Sequence, residues 1–295
     1  MSAPYQLHAD PELDAPVLLM ALDGWIDAGF GSTHAVATLL SSIDTYPIAT
    51  FDSDELLDHR ARRPIMTLVD GVNTGLTWPA IELRGGTDLA GNDVLFLVGA
   101  EPDHAWRSFS STVIDLATRF GTRIIIGLGA YPAAVPHTRA TLLSCTAATE
   151  ELAGRWNFLR GTLEVPAGVH AAIERAAADA GLPAIGVWAQ VPHYTAGMAY
   201  PAASLALIES AAAVGGLSLP TGNLPEEARE ARERLDEIIA GNEEHARMVA
   251  ALESETDAHA PGEQFGDGAS PGPLPTGAEL VAELEQFLRE QGPDS

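Results

Sequence analysis

The chain has 295 residues, 46% of them apolar, and a formal net charge of −25, so it can bury a sizeable core while its surface repels polyanions. Neither nucleic acid nor an anionic membrane surface is expected as a partner. All sixteen basic residues are arginine, which excludes a P-loop lysine, a Schiff-base lysine and a lysine general base.

No apolar run approaches the ~20 residues of a membrane-spanning helix. The first sixteen residues carry neither the basic nor the apolar region of a signal peptide, so a cytoplasmic location is expected. One cysteine, Cys145, permits no internal disulfide; its small, apolar neighbours fit a buried residue better than a nucleophile.

Residues 1–15 read as a polar arm, and 16–22 as a buried strand that ends in Asp23, Trp25 and Asp27 within a glycine-rich turn. A helix fits 31–43, capped by Ser32 or Thr33, followed by a strand at 48–51. The segment 52–63 mixes acidic and basic groups and reads as a short helix with a connection. Strands at 65–69 and 78–83 flank a glycine-rich turn, as in a hairpin or edge excursion. A buried strand at 93–99 leads to Glu101, Asp103 and His104, and a helix covers 106–120.

The strand at 123–128 runs into Pro136, His137, Thr138 and Arg139. A strand at 142–146, a short helix at 149–154 and a helix at 166–180 follow. The strand at 184–189 repeats the pattern and delivers His193 and Tyr194; a small-residue helix follows at 204–214. Wholly apolar strands alternating with helices predict a three-layer α/β/α domain with a mostly parallel central sheet over residues 1–222.

Beyond Gly222, Asn223 and Glu226 form a capping box with Pro225 between them, starting a long charged helix within 223–256. Leu235, Ile238, Asn242 and Val249 lie on a seam spaced by three and four, with Asn242 as a register-setting polar residue. The helix either lies across its own domain or meets a partner chain. Residues 257–277 read as a flexible acidic Gly/Pro linker and 278–295 as a short amphipathic helix with its tail.

Ligands of open parallel sheets bind at the carboxyl ends of the strands. If the four apolar strands are neighbours, Asp23, Trp25, Asp27, Glu101, Asp103, His137, Arg139, His193 and Tyr194 form one candidate pocket. A carboxylate–histidine set suits acid–base chemistry, and Arg139 suits a carboxylate or phosphate. The turn after the first strand, with the helix that follows, can also hold an anion on free N–H groups. The competing reading is structural, with His137 and Arg139 bonded, for example, to Glu101 or Asp103. No metal motif and no complete dinucleotide fingerprint is present, so neither metal nor cofactor is expected.

The motifs at 23–29, 51–64, 101–109, 136–139 and 191–201, in this order, resemble the bacterial branch of the proteasome assembly chaperone family, best known from actinobacteria. The resemblance spans about residues 16 to 255. It implies a fold similar to nucleoside phosphorylases without an established enzymatic activity, a homo-oligomer, with a trimer favoured, and a protein partner. Archaeal relatives often end in a hydrophobic-Tyr-any motif. This sequence ends Gln291-Gly292-Pro293-Asp294-Ser295, so docking through such a tail is not expected. Two functions follow as expectations: an oligomeric assembly factor, or an enzyme or binder of a nucleoside-like, phosphorylated or carboxylated ligand in the strand-end crevice.

Overall fold

The computed structural model describes residues 4–24, 26–153 and 164–258. Trp25, most of the expected linker and the expected terminal helix lie outside the described residues. In chain order the elements are β1 (Tyr5–Leu7), β2 (Val17–Asp23), α1 (Gly31–Ser42), β3 (Thr45–Phe51), α2 (Ser53–Leu56), β4 (Ile65–Val69), β5 (Val72–Thr77), β6 (Ile81–Thr87) and β7 (Asp93–Ala100). There follow α3 (Trp106–Arg119), β8 (Ile124–Ala133), β9 (Leu143–Ala147), α4 (Glu150–Ala153), α5 (Val169–Asp179), β10 (Ala184–Pro192), α6 (Pro201–Gly215), α7 (Leu224–Ala240) and α8 (Glu243–Ala258).

Eight strands form one sheet in the order β1-β3-β6-β7-β2-β8-β10-β9. Its four central strands, β7, β2, β8 and β10, are parallel neighbours, which brings the four expected strand ends to one edge. Antiparallel strands finish both sides. The central strands are apolar throughout because helices cover both faces. Leu19, Phe96, Ile126 and Val187 face α1 and α6 on one side. Leu18, Leu95, Ile125 and Ala184 face α3 and α5 on the other. Each leucine buried this way contributes about 1.5–3 kcal/mol, so the three-layer arrangement follows from the sequence pattern.

The polar arm contains a strand, β1, which pairs with β3. The strand expected at 78–83 belongs to the main sheet as β6, and the hairpin is instead β4–β5, a separate two-stranded sheet. Its turn is Asp70-Gly71, both with positive φ (49° and 81°), the tight turn that suits the right-handed twist of two adjacent strands.

The long C-terminal helix is broken. It ends at Gly241, and Asn242 starts α8 by accepting hydrogen bonds on Oδ1 from the N–H groups of Glu244 and His245 (2.9 and 3.2 Å). Asn242 is thus a helix cap and sets no coiled-coil register. The seam also divides: Leu235 and Val249 are buried within the chain, whereas Ile238 is exposed. Nor does Asn223 form a capping box. Its carbonyl, not its side chain, accepts from Glu226 and Glu227.

Candidate strand-end site and its helical clamp

β2 stays in register with β7 through Asp23 but leaves β8 after Met20. His170, near the start of α5, enters the resulting split. Its Nε2 accepts from the N–H of Leu22 (3.3 Å), a donor that β8 no longer satisfies. Burial holds the His170 pKa down to about 4, against the opposing pull of nearby Asp27, so the ring is neutral near pH 7. The sequence reading missed this histidine because it lies within a helix, far from every strand end in the chain.

Asp27 occupies the start of α1. Its carboxylate accepts from the N–H groups of Ser32 (2.8 Å) and Thr33 (2.9 Å). The expected caps, Ser32 and Thr33, are therefore the donors, and these two N–H groups that were expected to hold an external anion already hold an internal one. Glu101 plays the same part at α5, where Oε1 accepts from the N–H of Val169 (2.6 Å). Gly24 makes room for it: a Cβ at that position would lie 2.2 Å from Glu101 Oε2. Asp103 accepts from the N–H of Asp58 (2.8 Å) and faces Arg62 Nε at 3.4 Å.

His137 is 3% exposed. Its main-chain N–H donates to the Tyr194 hydroxyl (2.9 Å), and its Nδ1 lies 2.7 Å from the same oxygen. Its Nε2 lies 3.0 Å from Asp236 Oδ1 on α7. The network is satisfied when Tyr194 donates to Nδ1 and Nε2–H donates to Asp236. Burial raises the Tyr194 pKa; Glu253 and Asp236 add to the rise and the His137 N–H opposes it, so the phenol stays protonated. His193, in a short turn after β10, is exposed and meets Tyr194 edge-on, with centroids 5.3 Å apart.

Arg139 binds α8. It makes a two-pronged contact with Asp257 (2.8 and 2.6 Å) and a third bond to Glu253 (3.1 Å). The paired carboxylates raise the guanidinium pKa, and Arg139 lowers that of Asp257. Thr138 donates to the same Glu253 oxygen at 2.5 Å. The example partners expected for His137 and Arg139, Glu101 and Asp103, are thus corrected: their carboxylate partners are on the two C-terminal helices. Asp236, Glu253 and Asp257 gave no signal in the sequence, because acidic residues on a charged helix read as solvated.

Of the candidate pocket residues that are described, Asp23 lines a cavity of about 510 Å³ at the ends of β2 and β7. Ser32, Thr33, Arg62 and Arg63 line it as well. No group of three or more His, Cys, Asp or Glu among the described residues is placed to hold a metal ion. Among those residues no helix is long and apolar enough to cross a membrane.

The fold defines an α/β protein of three layers in which the segments after β8 and β10 are tied to a pair of C-terminal helices. The chain belongs to the PAC2 family, whose model matches residues 21–239. A Corynebacterium glutamicum protein of unknown function is 33% identical over 86% of this chain and 97% of its own, with a TM-score of 0.81. A Mycobacterium tuberculosis protein of unknown function is 38% identical, covering 86% of this chain and 91% of its own, with a TM-score of 0.80. A proteasome-assembly chaperone homologue from M. tuberculosis is 32% identical over 79% and 99% of the two chains, with a TM-score of 0.73. Among curated proteins, none matches the chain. The resemblance carried by the ordered motifs is thereby borne out.

Proposed function

We propose that this protein is an oligomeric interaction factor that assists protein assembly, of the kind named for its mycobacterial relative, a proteasome-assembly chaperone homologue. One observation carries the reading beyond family membership. The polar residues best suited to chemistry at the strand ends are engaged inside the chain. Asp27 and Glu101 hold helix starts, and His137 and Arg139 hold α7 and α8. A base or anion clamp needs free valences, and these groups spend theirs on architecture. A protein partner and self-association, with a trimer favoured, belong to the same reading.

The test is an assembly assay. Purified full-length protein is mixed with separately purified, unassembled proteasome subunits, and ring intermediates are followed on native gels. Faster ring formation with the protein bound to an intermediate supports the reading. An unchanged rate with no bound species overturns it.

A second reading, a small-molecule binder or enzyme, is favoured by the cavity beside Asp23. Arg62 and Arg63 there suit a phosphorylated or carboxylated ligand, and Ser32 and Thr33 add hydroxyls. A thermal-shift screen of nucleoside phosphates and dicarboxylates tests it, since a ligand raises the melting temperature by mass action.

A further inference from the structure

The cavity of about 510 Å³ at the ends of β2 and β7 holds charges of both signs that do not neutralise each other. Asp23 lines it from the end of β2, and Arg62 and Arg63 line it from the segment before β4. Arg62 faces Asp103 at 3.4 Å, whereas among the described residues Asp23 and Arg63 form no ion pair. Both of these side chains are exposed. Many other described arginines are paired, such as Arg119, Arg139 and Arg229. In a chain of net charge −25, an unpaired guanidinium marks a place where an external anion meets little repulsion.

The start of α1 is closed to that anion, because Asp27 already takes the N–H groups of Ser32 and Thr33. The anion therefore falls to the two guanidinium groups. A phosphate monoester suits two adjacent planar forks better than a carboxylate does, since it carries roughly two negative charges and more acceptor oxygens. Asp23 selects the other end of the ligand. An ionised carboxylate only accepts hydrogen bonds, so it repels a second anionic group and takes hydroxyls. The volume lies within the ~300–1,000 Å³ of small-molecule sites.

We propose that this cavity binds a polyhydroxylated phosphate monoester, either a sugar phosphate or a nucleoside monophosphate, with its phosphate on Arg62 and Arg63 and its hydroxyls on Asp23. The proposal rests on the small-molecule reading above; it names the ligand class and its orientation, and it excludes the dicarboxylates that reading admits. Arg62 and Arg63 precede β4, while Pro79 and Ala80, which also line the cavity, follow β5. A ligand held this way joins the segments on both sides of the hairpin to the end of β2. The cavity shares no residue with the ties that hold α7 and α8, so its occupancy is compatible with the assembly role.

Isothermal titration of the full chain with ribose phosphate, adenosine monophosphate, inorganic phosphate and succinate tests this, with hydrogen exchange on the same samples. Ribose phosphate is expected to bind about tenfold or more tightly than inorganic phosphate and succinate, and to slow exchange in residues 61–63 and 80–82. Arg63→Gln is expected to weaken it about tenfold or more. Asp23→Asn separates the two ends: it is expected to weaken ribose phosphate while leaving inorganic phosphate unchanged or bound more tightly. Both side chains are exposed, so neither variant is expected to shift the melting temperature of the free protein. Adenosine monophosphate binding more tightly than ribose phosphate assigns a nucleotide; equal or weaker binding assigns a sugar phosphate. If succinate or inorganic phosphate binds as tightly as ribose phosphate, or Asp23→Asn weakens no probe, the proposal fails and the small-molecule reading stands. If no probe binds, or Arg63→Gln weakens none of them, the proposal and that reading of the cavity fail together.

Discussion

His137 and Asp236 lie 99 positions apart in the sequence and 3.0 Å apart in the fold, joining the end of β8 to α7 through a ring that is 1% exposed. The contact ties the C-terminal helices to the α/β core within the chain, one of the two arrangements their sequence leaves open. Arg139 repeats the connection to α8 two residues later.

Asp236→Ala leaves the Nε2–H of His137 without its acceptor in a buried position. The expected loss is about 1–3 kcal/mol, read as a lower urea midpoint at unchanged slope. Asp236→Asn keeps an acceptor and is expected to cost less than half as much. His137→Ala also opens a cavity and removes the bond to Tyr194, so it is expected to exceed the loss in Asp236→Ala.

The tie between Arg139 and Asp257 gives α8 a pH dependence. Arg139 depresses the Asp257 pKa below its ordinary 3.8, so its stabilisation is fully present above that value. It is lost as pH falls through the lower, folded-state value. Hydrogen exchange is expected to show α8 amides well protected near pH 6 and exposed selectively at the acid end. Arg139→Gln is expected to weaken that protection at pH 6 and flatten the profile.

His170 contributes in a higher window. Its folded pKa is about 4 against an ordinary 6.5, so the unfolded chain takes up a proton between these values while the folded chain does not. Stability is therefore expected to fall as pH drops from 6.5 to 4, by on the order of 2–3 kcal/mol, and this contribution then levels off. Denaturation curves of His170→Gln across that range should lack this slope, and NMR titration of the ring should place its midpoint near 4.

Gly24 and Glu101 are expected to behave as one unit. Glu101→Ala deprives the Val169 N–H of its acceptor at the start of α5, an expected cost of about 1–3 kcal/mol. Gly24→Ala drives the carboxylate away, because the new Cβ would lie 2.2 Å from its oxygen. The double variant should therefore cost less than the sum of the two single ones in a double-mutant cycle.

Much of the fold was legible because burial writes itself into strands such as Leu18–Leu19 and Leu95–Phe96–Leu97, apolar on both faces. Asp70-Gly71 is a strong hairpin signal, yet the second strand is the polar VNTGLT, which does not look like one. Asn242 was ambiguous in kind, since a seam asparagine and a cap are the same residue until the chain bends after it. The strand-end positions of Asp27, Glu101, His137 and Arg139 followed from the motifs. Their partners did not, since Asp236, Glu253 and Asp257 approach from helices about 100 positions further on and look like ordinary solvated acids.

A chain that works by holding other chains leaves a signature in its mass. Native mass spectrometry of the full-length protein, alone and mixed with unassembled proteasome subunits, tests it most directly. A multiple of 31.0 kDa is expected for the protein alone, with a further discrete species that contains both components in the mixture. A single-chain mass in both samples, together with a melting temperature raised by a small phosphorylated or carboxylated ligand, would contradict it and point to the cavity beside Asp23 instead.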